Sequence, residues 1–340
     1  MKIKRQLKRA VVIAFVLASI MTIIAPAYAA TIGVSTFQEL KNALGVAAAG
    51  DIINIDNVET YFLVNEDITI PTGVTVNCAT DVYFYVANSI FLHGSFNNNS
   101  VVNISENGSI IIDGSFVNNG TIYNNDNGWI INNGTFVVNG GIINNAYIAN
   151  YSIVTNDGWI GSSVFLKNDG TFNSNGTIVN SGVLENNGAI NSNTFYNDYP
   201  GTIENRGALL NTNHFNNDTA EINNYGSLIN DGYFYNGDEG VVTSYGGTVS
   251  GDGAWVGNPI VEGGNGLEYA TVSAMVNKLN GNKNLLIIKI TEYFTDGASV
   301  STSYEIMINN NAASIYNVGG YKVYVDTKGN VQIRACYFVD

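Results

Sequence analysis

A six-residue phrase governs the stretch from residue 108 to residue 253. It runs glycine, any residue, a large apolar residue, any residue, usually asparagine, any residue. It reads Gly-Ser-Phe-Val-Asn-Asn from Gly114, Gly-Thr-Ile-Tyr-Asn-Asn from Gly120 and Gly-Trp-Ile-Ile-Asn-Asn from Gly128. It returns at Gly170, Gly176, Gly182, Gly188, Gly201, Gly207, Gly226 and Gly232. The apolar residue and the asparagine stand two apart, so on a strand they share a face. Glycine is expected where the chain turns, because it tolerates positive φ. Strands of three or four residues cannot bury an apolar residue alone. Stacked turns of chain can, which is the logic of a solenoid.

Three phrases make one turn. Starts at 108, 114, 120 and 128 are spaced six, six and eight, and those at 201, 207, 213 and 220 six, six and seven. A coil therefore takes 19 or 20 residues, with the extra residues at one corner. Between about 152 and 194 the phrases run without inserts, and the register there stays open. The expected fold is all-β: a three-sided, right-handed parallel β-helix of roughly ten coils. Handedness follows the strong bias of parallel β connections; a left-handed hexapeptide helix is the alternative. Stacked turns place like residues about 4.8 Å apart. Inward asparagines can then hydrogen-bond from coil to coil as a ladder. Residues 94–258 hold 36 asparagines, too many for a binding site, so their use is structural.

Lys2, Lys4, Arg5, Lys8 and Arg9 precede an apolar run over 10–25, and Ala27-Tyr28-Ala29 supplies small residues for cleavage. Residues 1–29 thus read as a secretory signal peptide, which implies a secreted or cell-surface chain. An uncleaved anchor is the alternative, though the run is short for a membrane span. No other stretch is long enough to cross a bilayer. Five of the 14 basic residues lie in the leader, leaving nine against 28 acidic residues, a net charge of −19. Such a surface argues against nucleic acid or anionic membrane as partner. Cys78 and Cys336 do not make a disulfide framework and read as two buried thiols, with a bridge between them the alternative.

Residues 30–56 read as an N-terminal cap and first strand. Thr36 and Glu39 form a capping box, and Phe37, Leu40 and Leu44 share a helical face. The β-helix is expected over 57–256. Residues 68–76 read Ile-Thr-Ile-Pro-Thr-Gly-Val-Thr-Val. A helix, then Gly-Asp-x-Ile from Gly50, then this segment and the Asn-Gly-Thr-Ile ladders resemble the pectate-lyase-like parallel β-helix superfamily. Within it the chain is most similar to Gly/Asn-rich bacterial surface and adhesin-type solenoids. The resemblance covers residues 36–256. It implies the fold, and in the enzymes of the family cleavage of acidic polysaccharide with Ca²⁺. No family enzymatic motif is found here onto which those roles can be placed. Residues 257–266 read as a linker. Residues 267–340 hold six of the nine remaining basic residues and read as a small antiparallel β domain, sandwich-like. Strands are expected at 285–294, 300–309, 321–326 and 331–339, with a hairpin turn from Asp326 to Asn330. This domain either caps the solenoid or serves as an attachment module.

Three constellations can carry chemistry. Glu185 and Glu204 lie one coil apart with Arg206 two residues on, a spacing compatible with retaining glycoside hydrolysis. An exposed acid pair eased by an arginine is the plainer reading, and Lys167 is the one other basic residue between 94 and 258. Asp198, Asp218 and Asp238 recur every 20 residues at the corner with the inserts, as Asp126 does earlier. Stacked carboxylates suit Ca²⁺, although aspartate also favours turns. No other cofactor is implied. Outward Tyr123, Trp129, Ile131, Val137, Ile143, Trp159 and Tyr235 suit stacking on sugars or packing between copies of the chain. Trp129 and Trp159 are 30 residues apart, which is not a whole number of coils. His93 and His214 have no partner at a recognisable metal or nucleophile spacing. Asn107, Asn119, Asn133 and Asn175 match glycosylation triplets that so asparagine-rich a chain produces by chance. The expected function is a non-enzymatic surface scaffold or adhesin-like protein whose partners are polysaccharide, cell-envelope components or itself. The alternative is a polysaccharide lyase or glycoside hydrolase.

Overall fold

The computed structural model describes residues 29–340 apart from 238, 259, 263–266, 279–282, 295–298, 310–312, 319–320, 327–329 and 337–340. The leader expected at 1–29 lies outside them but for Ala29. The phrase folds as its spacing requires. Ser109–Ile112, Ser115–Asn118 and Thr121–Asn124 are successive strands, and each pairs in parallel with its equivalents one coil away. Three parallel walls result. Wall 1 contains Ser115–Asn118, wall 2 contains Thr121–Asn124 and wall 3 contains Ser109–Ile112. The chain makes a right-handed β-solenoid of about 12 turns.

Two details depart from the sequence reading. The coil number exceeds ten because the solenoid passes the expected bounds of 57–256 at both ends, from Thr31–Val34 to Ile260–Glu262. Trp129, Tyr147, Phe165 and Val183 are register partners, so three consecutive coils take 18 residues each. Thr31–Val34, ahead of the helix, also pairs with Ile52–Ile55 as the first rung of wall 1. The role of the repeat glycines differs as well. Positive φ is confined to Gly50, Gly73, Gly246, Gly251 and Gly257 among the described glycines. At Gly120 a Cβ would drive into the carbonyl oxygen of Ser100 in the coil below. The repeat glycines are there for close approach of stacked corners.

The second residue of each strand points inward and stacks on its equivalents. Phe96, Phe116 and Phe136 follow at 5.3 and 5.2 Å between ring centroids. Phe195, Phe215, Phe234 and Trp255 follow at 4.7, 4.6 and 4.6 Å. The fourth residue is also inward, and there the asparagines form files. Asn132, Asn150, Asn168, Asn186, Asn205 and Asn224 each donate Nδ2 to the Oδ1 of the next at 2.7–2.8 Å. A second file runs through Asn180, Asn197, Asn217 and Asn236. The same Nδ2 groups reach corner carbonyls, as Asn168 does to Ala189 at 3.1 Å. Two files start above an apolar residue. Asn124 sits above Ile104 and Asn156 above Val138, and the Oδ1 of each is buried without a partner.

Helix Phe37–Val46 closes the open lower end. Thr36 and Glu39 make the capping box, Leu40 and Ala43 are buried, and Phe37 meets the Phe62 ring edge-on at 6.4 Å. At the upper end, Ala254–Gly257 and Ile260–Glu262 are still rungs of walls 2 and 3. The solenoid thus runs into the segment read as a linker. Beyond it lie two three-stranded antiparallel sheets, Leu267–Lys278 with Lys283–Phe294 and Ser299–Asn309, and Ser314–Val318 with Tyr321–Val325 and Val331–Cys336. Leu267–Lys278 was not expected as a strand. The sheets share a core that includes Leu286, Ile288, Val323 and Ile333. Val331–Cys336 lies against Ala254–Gly257 and Ile260–Glu262, so this unit covers the last coil.

The unfilled rung at Val138 gives a test. Val138→Asn inserts an amide between Asn118 and the orphaned Asn156 and is expected to stay within about 1 kcal/mol of wild type. Val154→Asn buries the same amide where no file exists and is expected to cost about 3 kcal/mol. Urea denaturation of both variants measures the difference, and equal losses would refute the account of the files.

Candidate functional site

Outward strand positions divide by wall. Between residues 52 and 257, walls 1 and 2 present no Lys, Arg, Asp or Glu from their strands, whereas wall 3 presents Lys167, Glu185, Glu204 and Glu221. Lys167, Glu185, Glu204 and Asn223 are register partners on four successive coils. The two glutamates therefore sit about 4.8 Å apart. Arg206, at the adjoining corner, pairs with Glu204 at 3.1 Å, and Asn223 donates to the other Glu204 oxygen at 2.9 Å. Glu185 accepts no hydrogen bond from the described residues. Lys167 is tied to Asp169 at 2.7 Å, and that hydrogen bond holds its pKa above the usual lysine range. Burial pushes Asp169 up, but hydrogen bonds from Lys167 and Asn187 outweigh it and hold the carboxyl below its usual range. The two cations also lie over tyrosine rings, Lys167 over Tyr151 at 5.2 Å and Arg206 over Tyr225 at 5.1 Å. Glu185, Glu204 and Arg206 are thus together, with Arg206 and both Glu204 oxygens already partnered by the protein.

At the wall 2–wall 3 corner, Asp198 and Asp218 lie near one another. Burial, and then the Asp218 charge, pushes the Asp198 carboxyl above its usual range. Asp238 lies outside the described residues. Among those described, no three His, Cys, Asp or Glu side chains form a group able to hold a metal ion. His93 has a partner the sequence did not suggest: Asp113, one coil on, at 3.2 Å. His214 stacks on Tyr233 at 5.5 Å and meets Tyr196 at a tilt at 5.7 Å. Asn119, Asn133 and Asn175 face outward and bond corner residues of neighbouring coils.

The aromatic candidates fall on two walls. Trp129 is on wall 3, where it stacks on Tyr147 at 4.5 Å with 10° between planes, and Tyr147 meets Phe165 at 5.9 Å. Tyr123, Trp159 and Tyr235 are on wall 2. The Trp159 indole lies across Gly161, so that any Cβ at Gly161 would collide with it. Tyr147 and Phe165 were not singled out from sequence. The 18-residue interval from Tyr147 to Phe165 runs into the stretch whose register was open, and the one from Trp129 to Tyr147 lies just before it. Among the described residues no helix is long and apolar enough to cross a membrane.

Two measurements follow from these environments. The folded-state pKa of Asp198 is raised above its unfolded value, so the fold disfavours its charge at neutral pH and is relieved as pH falls through that pKa. Asp198→Asn is expected to raise the melting temperature at neutral pH and to flatten its dependence between about pH 7 and pH 4. No rise would contradict the burial penalty. Cys78 is fully buried, and burial with Asp81 nearby pushes its thiol up to about 12. It is expected to resist iodoacetamide in the native protein and to react on unfolding, as read by mass spectrometry.

No family model, no curated protein and no solved structure matches the chain, so its function is argued from these walls.

Proposed function

We propose that the chain is a secreted or cell-surface solenoid that acts as a non-enzymatic scaffold or glycan-binding protein of adhesin type. The observation that carries this reading is where the polar groups go. The buried asparagines are consumed in coil-to-coil files. On wall 3, Lys167 is engaged by Asp169 and Glu204 by Arg206 and Asn223. What remains open to a partner is the Glu185 carboxylate and wall surface carrying half-exposed aromatic rings. The resemblance to pectate-lyase-like surface solenoids, carried by the cap helix, the segment at 68–76 and the ladders, supports the same reading.

Glu185 and Glu204 keep one enzymatic reading alive, because their register places two carboxylates beside an arginine. A polysaccharide array, with and without Ca²⁺, separates the readings when both retention and release of reducing or unsaturated ends are scored. Retention without release is expected, unchanged in Glu204→Gln. Release that Glu204→Gln abolishes would overturn the scaffold reading, and retention that needs Ca²⁺ and falls in Asp198→Asn would place the ion at the aspartate corner.

A further inference from the structure

The outward residues of wall 2 repeat with a period of two coils. Tyr85, Asn103, Tyr123, Ile143 and Gly161 are successive register partners. The row continues through Val179, Tyr196, Asn216 and Tyr235. Tyrosine stands on every second coil, and at Gly161, where the pattern calls for a ring, the indole of Trp159 folds over the bare backbone. The second outward row keeps the same phase, with Tyr83 beside Tyr85 and Tyr233 beside Tyr235. The strands of the intervening coils present no outward Phe, Tyr or Trp. Trp159 is 39% exposed and Tyr233 40%, so the rings cover the wall yet show a surface to solvent.

At about 4.8 Å per coil, two coils span roughly 10 Å, the length of two pyranose residues in an extended β-1,4-linked chain. Successive sugars in such a chain are turned over, so every second ring offers the same apolar face to the same side. A ring every second coil meets each of those faces, while Asn103 and Asn216 offer amides at the coils between. The wall carries no charged strand residue, but acids line its edges, Asp157 and Asp231 along one and Glu106, Asp126 and Asp198 along the other. Those edges repel a polyuronate and leave a neutral polymer unopposed. We infer that wall 2 binds a neutral β-1,4-linked polysaccharide lying along the solenoid axis, with Tyr85, Tyr123, Trp159, Tyr196 and Tyr235 as its stacking platforms. This rests on the glycan-binding arm of the proposed function.

The test is isothermal titration of the full chain with β-1,4-linked gluco-, manno- and N-acetylglucosamine oligosaccharides of four, six and eight sugars. Maltohexaose, which is α-linked and helical, is the control. At least one β-1,4 series is expected to gain affinity with each added pair of sugars. Trp159→Ala is expected to weaken the hexasaccharide about tenfold, with Trp129→Ala on wall 3 leaving it unchanged. Gly161→Ala, which keeps the tryptophan but lifts it off the wall, is expected to weaken it too; circular dichroism checks that each variant is folded. Equal affinity for maltohexaose would overturn the inference. Binding lost in Trp129→Ala but kept in Trp159→Ala would overturn it while leaving glycan binding intact. No binding to any oligosaccharide would remove this inference and the glycan arm together. Self-association that disappears in Trp159→Ala, read by sedimentation, would overturn it by assigning the wall to a second copy of the chain.

Discussion

A buried amide with no partner costs about 1–3 kcal/mol, and this chain drives a file of them through its interior. The cost is met because every coil has an equivalent one strand spacing away. Asn168 accepts from Asn150 below and donates to Asn186 above, so each side chain is satisfied by its neighbour's identity. The arrangement is self-consistent only if the coils keep register. A slip by one residue would turn every asparagine outward and every polar wall residue inward. The asparagine files therefore fix register, while the stacked phenylalanines supply the apolar burial that non-directional packing provides.

That interior sets what the surface can be. A strand of four residues spends two on the core and leaves two outward, and the outward pair bears no load in the ladder. The three walls are consequently free to differ, and they do. Wall 1 mixes small, polar and aliphatic residues such as Val117, Ile153 and Leu210, with short amide files such as Asn54, Asn77 and Asn97. Wall 2 alternates coils that bear Tyr or Trp with coils that bear neither, among them Ile143, Val179 and His214, and its strands carry no Asp, Glu, Lys or Arg. Wall 3 pairs an aromatic stack at Trp129 with a charged file from Lys167 to Glu204. Because each coil touches only its neighbours, the structure is nearly one-dimensional. Its two open ends then need separate covers, which the capping-box helix and the C-terminal sheets supply.

Much of this was legible in the chain. The hexad told the wall number, the inward apolar–asparagine pair and the inserts at one corner, and Thr36 with Glu39 marked the cap. Glu185 and Glu204 could be placed together because the inserts there kept the coil length readable. The insert-free stretch withheld its register, and with it the pairing of Tyr147 with Phe165. The glycines were read for their φ, whereas crowding between coils explains them. A close approach to Ser100 from Gly120 is a property of two coils and appears in neither phrase alone.

The sequence by itself determined a coil of three short strands, its inward residues and its outward ones, since these follow from the two-residue period of a strand. Only the tertiary structure decided which outward residues are neighbours. Coil length, counted between register partners, drifts between 17 and 23 residues, and a difference of two residues per coil moves a side chain out of its file. The partners of Glu204, the ring over Gly161 and the two-coil phase of wall 2 are all set by that stacking, because contacts along the axis join residues a full coil apart.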